Sequence, residues 1–374
     1  MKEVSARLQM LPFVEAVRDI TGGNRKFSTS EYLPEGDTPI VDQSENFISG
    51  FTNDKNIVKR EKPVVVFGDH TTVLKFIDFY FCLGADGVKV LQPIDGIDTK
   101  YLYYYLLKQE LPNVGYSRHF KFLKEISVPL SSLPTQKRIA EILDKADALR
   151  KKDRQLLKHY DDLAQSLFID MFGDPVRNEK SWEVKKIGTI STSKLGKMLD
   201  SKKNTGEHVY EYLGNSNVLW HKFDFNDLKK MAFTDKEKVK YKLESGDILM
   251  CEGGEAGRCA VWKNERQNLF FQKAIHQIRL NTQIIIPDFF SWLIYFLVKG
   301  HGLKNYITTA TIAHLTGIKL KEIPIIVPPI PLQNQFAEQI QNIEQQKEKL
   351  KAQIVQSENL FQSLVQQAFN GGLD

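Results

Sequence analysis

A long amphipathic segment occurs twice in this chain of 374 residues, at a constant offset of 197 positions. The first copy covers residues 134–172 and the second covers residues 331–369. Several residues are identical in the two copies, among them Pro134/Pro331, Gln136/Gln333, Ala140/Ala337 and Phe172/Phe369. The tetrapeptide Leu-Lys-Glu-Ile before each copy recurs at the same offset. A constant offset without gaps predicts a tandem duplication.

Each copy carries apolar residues at alternating spacings of four and three, which is the spacing of a coiled coil. Prolines near the starts and glycines after the ends predict helices that closely match the copies. At 1.5 Å per residue, each helix would be roughly 58 Å long. We expect these positions to pack the helices together: Ile139, Leu143, Ala146, Leu157 and Leu167 in the first copy, and Phe336, Ile340, Ile343, Ile354, Phe361 and Leu364 in the second.

The two helical segments divide the chain into four parts. Residues 1–133 and 174–330 are each long enough for one globular domain, and residues 134–173 and 331–374 form the helices. Both globular parts show a strand, a turn containing glycine, an aromatic helix and a polar loop, and residues 76–83 have the alternation of one strand. We therefore expect an α+β fold: two mixed α/β domains separated by two long antiparallel coiled-coil helices, with a pseudo-two-fold internal repeat.

The basic charge is concentrated in one half of the chain. Residues 174–330 contain 24 basic and 17 acidic side chains, whereas residues 1–133 contain 16 and 17. The second globular part is the better candidate for binding a polyanion, although this excess can also be a feature of a surface with no such role. Three cysteines without metal-ligand spacing argue against a disulfide framework or a zinc site. No signal peptide or membrane span is evident, so we expect a cytoplasmic protein.

The motifs of the common catalytic sites are missing or incomplete. Residues 327–330 (Val-Pro-Pro-Ile) lack the Asn or Asp that an adenine methyltransferase needs before its two prolines. The Gly-rich stretch 253–257 joins two predicted strands and lacks the strand-to-helix context of a phosphate-binding loop. The eight histidines show no paired-ligand spacing. We expect no catalytic residues, no metal site and no cofactor on this chain.

The entry into each helix carries the clearest resemblance to a known family. Residues 126–143 (ISVPLSSLPTQKRIAEIL) and 325–340 (IIVPPIPLQNQFAEQI) combine a Pro-rich turn with a glutamine and a helix start. Residues 168–175 and 246–262 are also similar to that family, and Ser131-Ser132 departs from it where a proline is commoner. With this layout, the chain resembles the DNA specificity (S) subunit of type I restriction–modification systems.

This resemblance implies two target recognition domains, each of which reads one half of a bipartite double-stranded DNA target. It implies that the long helices act as a spacer and as the docking surface for methyltransferase (M) subunits, of which we expect two. Restriction (R) subunits would join through the complex. S-adenosylmethionine, ATP and Mg²⁺ would then be bound by the partner subunits.

Candidate DNA contacts are forked side chains for base edges and flexible cations for phosphates. The set comprises the turn residues Gly68, Asp69, His70, Glu252 and Arg258, the loop residues Arg118, His119, Lys121, Thr309, Thr311 and His314, and the lysines Lys194, Lys197, Lys202 and Lys203 of a predicted loop at 194–206. The alternatives are that the lysines are only solvated, that the turns only cap hairpins and that the histidines are structural.

Two other functions remain open from the sequence. The first is a fused restriction or methylation enzyme whose active site has no recognisable motif. The second is a coiled-coil adaptor that binds only proteins. DNA binding that weakens steeply with salt would exclude the adaptor, because counterion release accompanies phosphate contacts.

Overall fold

The computed structural model describes residues 9–85, 87–112, 115, 117–199, 208–308 and 313–370. The chain divides into two compact units. Unit 1 consists of Met1–Leu156 and Leu350–Asp374, and unit 2 consists of Leu157–Lys349. Each of the two long helices therefore contributes residues to both units.

The described residues of the first part of the chain form ten strands and four α-helices, the last of which is the first long helix. In chain order they are β1 (Gln9–Pro12), α1 (Phe13–Ala16), β2 (Val17–Asp19), β3 (Lys26–Phe27), β4 (Thr38–Val41), β5 (Gly50–Thr52), β6 (Val64–Gly68), β7 (Leu74–Ile77), β8 (Cys82–Gly84), β9 (Val88–Pro93), α2 (Thr99–Leu107), α3 (Phe120–Leu123), β10 (Ser127–Leu130) and α4 (Leu133–Phe172).

The second part repeats this plan and ends in the second long helix. Its elements are β11 (Glu183–Lys186), α5 (Ile187–Ile190), β12 (Ser191–Leu195), β13 (Val209–Leu213), β14 (Val218–Leu219), β15 (Lys222–Phe223), β16 (Lys229–Ala232), α6 (Asp235–Lys240), β17 (Ile248–Cys251), β18 (Cys259–Val261), β19 (Phe270–Phe271), β20 (Ile275–Leu280), α7 (Pro287–Lys299), α8 (Gly317–Glu322), β21 (Pro324–Val327) and α9 (Ile330–Phe369).

The strand order shows that the repeat extends beyond the helices. Unit 1 has an antiparallel sheet of order β2-β9-β6-β7, and unit 2 has one of order β12-β20-β17-β18. In a second sheet, β4 pairs antiparallel with β5 and parallel with β8, just as β13 pairs antiparallel with β16 and parallel with β19. The ribbons β1-β10 and β11-β21 also correspond. Both units therefore share the pairing of these strands, whereas the pair β3-β8 in unit 1 and the ribbon β14-β15 in unit 2 differ between them.

Two sequence-based expectations about strands were wrong. Residues 76–83 form parts of two strands, β7 and β8, that belong to different sheets. The aromatic run is interrupted because Asp78 is exposed and Tyr80 is 71% exposed, which takes the chain out of the first sheet. Lys194 lies within strand β12 and not in a loop, because residues 191–195 pair with β20.

The long helices run antiparallel to each other within each unit. In unit 1, Asp153 contacts Gln353 and Arg150 contacts Glu358, so the residue numbers of the two helices run in opposite directions. In unit 2, Asp161 pairs with Lys347, and further along α4 Phe168 meets Phe336. Both sets of contacts are antiparallel. Asp153 Oδ1 and Lys347 thereby have partners within their own unit, whereas the buried Asp153 Oδ2 has no hydrogen-bond partner among the described residues.

The residues predicted to pack the helices lie along one face of each helix. Ile139, Leu143 and Ala146 share a buried cluster with Phe361 in unit 1. Phe336, Ile340 and Ile343 share another with Phe168 and Phe172 in unit 2. Leu157, Leu167, Ile354 and Leu364 are half-buried.

Two fully buried glutamines attach the helix starts to the globular parts. Gln136 donates from Nε2 to the carbonyls of Gly96 (3.0 Å) and Ser131 (2.9 Å), and its Oε1 accepts from the N–H of Asp98 (2.8 Å). Asp98 caps the start of helix α2. All three amide hydrogen-bonding interactions would be lost with an apolar side chain.

Gln333 makes the same set of bonds in unit 2. Its Nε2 donates to the carbonyls of Ile284 (3.1 Å) and Pro328 (2.7 Å), and its Oε1 accepts from the N–H of Ile286 (2.9 Å). Ile286 precedes the first residue of helix α7, just as Asp98 precedes α2. The duplicated glutamine therefore ties the long helix to the aromatic helix in both units.

We predict that Gln136→Leu or Gln333→Leu lowers the free energy of unfolding by about 3 kcal/mol, because three buried backbone groups lose their partner. Chemical denaturation followed by circular dichroism measures this. Gln362→Leu is the matched control, since Gln362 is exposed and should change stability by no more than about 0.5 kcal/mol. Equal effects of all three substitutions would contradict the role assigned to the buried pair.

Candidate nucleic-acid interface

In unit 1, the turn between β6 and β7 is joined to the segment before helix α3. The carbonyl of Asp69 accepts from the N–H of His119 (2.8 Å), and its Oδ1 accepts from the N–H of Phe120 (2.7 Å). Asp69 and His119 are 5% and 4% exposed. The structure thus brings these two predicted residues together, but their side chains are occupied in holding the turn.

The other predicted residues of unit 1 surround this junction. Gly68 is needed for close packing, because a Cβ there would lie 2.1 Å from Thr71 Oγ1. The backbone N–H of His70 donates to Gln43 Oε1 (3.3 Å). Arg118 and Lys121 are exposed, and the Lys121 ammonium lies 4.9 Å from the ring centroid of Phe122. These two cations face solvent at the junction.

Unit 2 contains the equivalent junction at the turn between β17 and β18. The N–H of Leu315 donates to the carbonyl of Glu252 (2.7 Å), and Gly253 forms a bridge with His314. Glu252 is half-buried and His314 is exposed. The Gly-rich turn and the loop before the short helix are therefore adjacent in this unit as well.

Arg258 is held inside its own turn. Its Nη2 donates to the carbonyl of Asn215 (2.9 Å), its Nη1 lies 3.4 Å from Glu255 Oε2, and its side chain is 20% exposed. Asn215, which the sequence analysis did not select, also donates from Nδ2 to the carbonyl of Gly253 (2.8 Å). In this arrangement the guanidinium stabilises the turn, and little of it is exposed to solvent.

The lysines predicted to contact phosphate have structural partners. Lys194 donates to the carbonyl of Lys240, and desolvation together with the nearby Arg279 lowers the pKa of its ammonium. Lys197 donates to the carbonyl of Ala232 (2.8 Å) and pairs with Glu237 (2.5 Å). Both brace residues 229–242, a lysine-rich stretch that the sequence analysis also missed. The alternating lysines at 236, 238, 240 and 242 were the available signal. Lys202, Lys203, Thr309 and Thr311 lie outside the described residues.

The described residues hold no cluster of three His, Cys, Asp or Glu side chains that is suited to a metal ion. The three cysteines are buried, and burial raises the pKa of the Cys259 thiol to about 12. A thiol with such a pKa is a poor nucleophile. In the part of the chain that the structure covers, every helix is too short or too polar to cross a membrane.

Comparison with known proteins identifies the family. The model of the type I restriction modification DNA specificity domain matches residues 15–159 and 179–357, which are most of the chain. The chain belongs to this family. The two matched segments each contain one turn–loop junction of the kind described above.

Two curated specificity subunits are similar in sequence to parts of this chain. It is 32% identical over 125 residues to the EcoR124I/EcoR124II specificity subunit of Escherichia coli, covering 30% of this chain and 31% of that protein. It is 23% identical over 269 residues to the EcoKI specificity subunit of Escherichia coli K12, covering 66% and 58%. The chain thus spans less than two thirds of the length of these two relatives.

Solved structures share the fold of the specificity-domain chain. The type I restriction–modification S subunit from M. genitalium gives a TM-score of 0.57 at 16% identity and covers 98% of both chains. A chain from a structure of type I restriction–modification complex assembly and conformational transition gives 0.59 at 12% identity, covering 98% of this chain and 100% of the other. These comparisons confirm the expected mixed α/β architecture with long helices.

We predict that Asp69→Ala lowers the free energy of unfolding by about 2–3 kcal/mol, because Phe120 N–H loses a buried, charged acceptor. Urea denaturation provides the measurement. Asp78→Ala is the control, since Asp78 is exposed and should cost no more than about 0.5 kcal/mol. An Asp69→Ala chain as stable as the parent would show that the carboxylate does not hold the junction.

Proposed function

We propose that this protein is a sequence-specific DNA-binding specificity subunit of a type I restriction–modification system. It reads a bipartite double-stranded target and directs methyltransferase and restriction subunits to it. The observation that carries the proposal is the repeated turn–loop junction, which occurs once in each segment matched by the specificity-domain family. Two equivalent surfaces on one chain are suited to two half-sites.

In this proposal the chain itself is not catalytic. Methyl transfer and DNA cleavage belong to the partner subunits, which bind S-adenosylmethionine, ATP and Mg²⁺. The buried Cys259 supports this division, because burial raises the pKa of its thiol to about 12 and makes it a poor nucleophile. Two M subunits would dock on the long helices, whose exposed faces are charged and rich in glutamine.

We further propose four functional parts, namely target recognition domains at 1–133 and 174–330 and spacer helices at 134–173 and 331–374. The helices form an antiparallel coiled coil that relates the two halves by a pseudo-two-fold repeat. The opposite running directions of the contacts within each unit and the shared strand order support this arrangement. Helix length then sets the number of unread base pairs between the half-sites.

The predicted DNA contacts fall into two groups in this proposal. Arg118, Lys121, Glu252 and His314 have side chains that reach solvent at the junctions and could approach DNA directly. Asp69, His119 and Arg258 would act indirectly by holding the shape of each turn. Gly68 permits the tight turn, because a Cβ there would collide with Thr71. Contacts from His70, Lys202, Lys203, Thr309 and Thr311 remain predictions from the sequence.

The proposal predicts adenine methylation at a split motif only when this chain is combined with the methyltransferase subunit from the same operon. The measurement is base-resolved mapping of methylation on a random-sequence DNA library, with each protein alone and with both together. Methylation by this chain alone would mean that it has an active site of its own. If the two proteins co-purify without sequence-specific methylation, the coiled-coil adaptor is the better description.

A further inference from the structure

Residues 229–242, named here the lysine segment, form an exposed basic surface on unit 2. We propose that it binds the sugar–phosphate backbone of DNA beside the half-site that unit 2 reads. This inference rests on the proposed function and adds a contact surface to it. The segment comprises strand β16, helix α6 and the residues that follow.

The lysine segment is firmly built into unit 2. Met231 and Phe233 are 1% and 0% exposed, so apolar side chains anchor it to the core. Helix α6 begins with a capping box in which Thr234 Oγ1 accepts from the N–H of Glu237 (3.3 Å). From the other side, Lys194 and Lys197 donate to its backbone carbonyls at Lys240 and Ala232. A fixed backbone presents the remaining cations in a constant arrangement.

The charge of the segment is strongly positive after its internal pairs are considered. It contains six lysines and two carboxylates. Asp235 pairs with Lys238 (2.6 Å), and Glu237 pairs with Lys197 (2.5 Å). Five further lysines are exposed, namely Lys229, Lys230, Lys236, Lys240 and Lys242. Ammonium groups on flexible stems are suited to phosphate, which needs charge and little directional precision.

A neighbouring cleft adds side chains of the same chemistry. It has a volume of about 520 Å³, and Lys238, Lys242 and Arg266 lie along it together with the amides of Asn264, Gln267 and Asn268. The described residues that line it include no carboxylate, but Arg266 pairs with Glu211 (3.2 Å) and Lys238 with Asp235 (2.6 Å), so Lys242 is the cation of the cleft with the most freedom to meet a phosphate. Cations mixed with amide donors are typical of contacts to phosphate and sugar oxygens.

The equivalent stretch of unit 1 is weaker in charge. Between β5 and β6, Lys55 and Lys59 are exposed, whereas Lys62 pairs with Asp95 (3.0 Å) and the half-buried Arg60 lies 5.8 Å from the ring centroid of Tyr80. This difference agrees with the even balance of basic and acidic residues in 1–133. Unit 2 should therefore supply most of the affinity that does not depend on DNA sequence.

The test measures how the affinity of the complete methyltransferase complex for DNA depends on salt. The variants are Lys229→Gln/Lys230→Gln and Lys236→Gln/Lys240→Gln, and the control is Lys185→Gln/Lys304→Gln, which removes two lysines of unit 2 outside the segment. Each phosphate contact contributes about 0.9 to the slope of log K against log salt, so each segment variant should lower the slope by up to about 2. The loss should be the same on target and non-target DNA.

Three results separate the outcomes. Shallower slopes for the segment variants alone, with an unchanged methylation motif, support the proposal. Parental slopes in correctly folded segment variants would overturn it while leaving the proposed function intact. An altered motif or a loss confined to target DNA would also overturn it, because the lysines would then read bases. A parental complex that shows no sequence-specific methylation would instead refute the proposed function.

Discussion

The hydrogen bonds of two buried glutamines are the constraint on which both halves of this structure depend. Gln136 and Gln333 each satisfy a carbonyl of the Pro-rich entry, a carbonyl of the globular part and the N–H at the start of an aromatic helix. A long helix bears an apolar face that must be covered, and this bond set fixes where the globular part meets it. The same residue at the same place in both copies shows that this attachment is part of the duplicated unit.

On this common framework the two units have diverged at their surfaces. The strand order and the attachment of the turn to the following loop are the same, but the chemistry at the turn differs. Unit 1 uses the carboxylate of Asp69 to hold its junction, whereas unit 2 uses Arg258 and Asn215 to shape a Gly-rich turn. A conserved framework with different surfaces is what a chain needs if its halves are to recognise different sequences.

The sequence predicted the features that depend on periodicity and on the repeat. The two copies at 134–172 and 331–369, which the sequence predicted to be helical, agree with α4 and α9 to within one residue, because a four-three seam with flanking proline and glycine is a local signal. The division of 76–83 between two sheets could not be predicted, since both halves of that run alternate like a strand. Its interruption depends on where Asp78 and Tyr80 meet solvent, which is a property of the folded chain.

The candidate site was predictable only at the level of loops. A sequence shows which residues are charged, but it does not show whether a cation is paired with other groups of the same chain. The sequence predicts Lys197 and Arg258 as DNA contacts, but in the structure Lys197 pairs with Glu237 and Arg258 donates to the carbonyl of Asn215. Conversely, most of the exposed lysines of 229–242 lie on strand β16 and helix α6. Which side of these elements faces solvent is decided by tertiary packing, and the sequence alone does not show it.

We propose that helix length sets the number of unread base pairs between the two half-sites, and lengthening both helices tests this proposal. One heptad inserted at each of the equivalent positions Leu157 and Ile354 keeps the seam and lengthens each helix by about 10 Å. The methylated motif of the complex should then keep both half-sites, with a gap about three base pairs longer. If the complex still methylates DNA but its motif keeps the parental gap, helix length does not set the spacing between the half-sites.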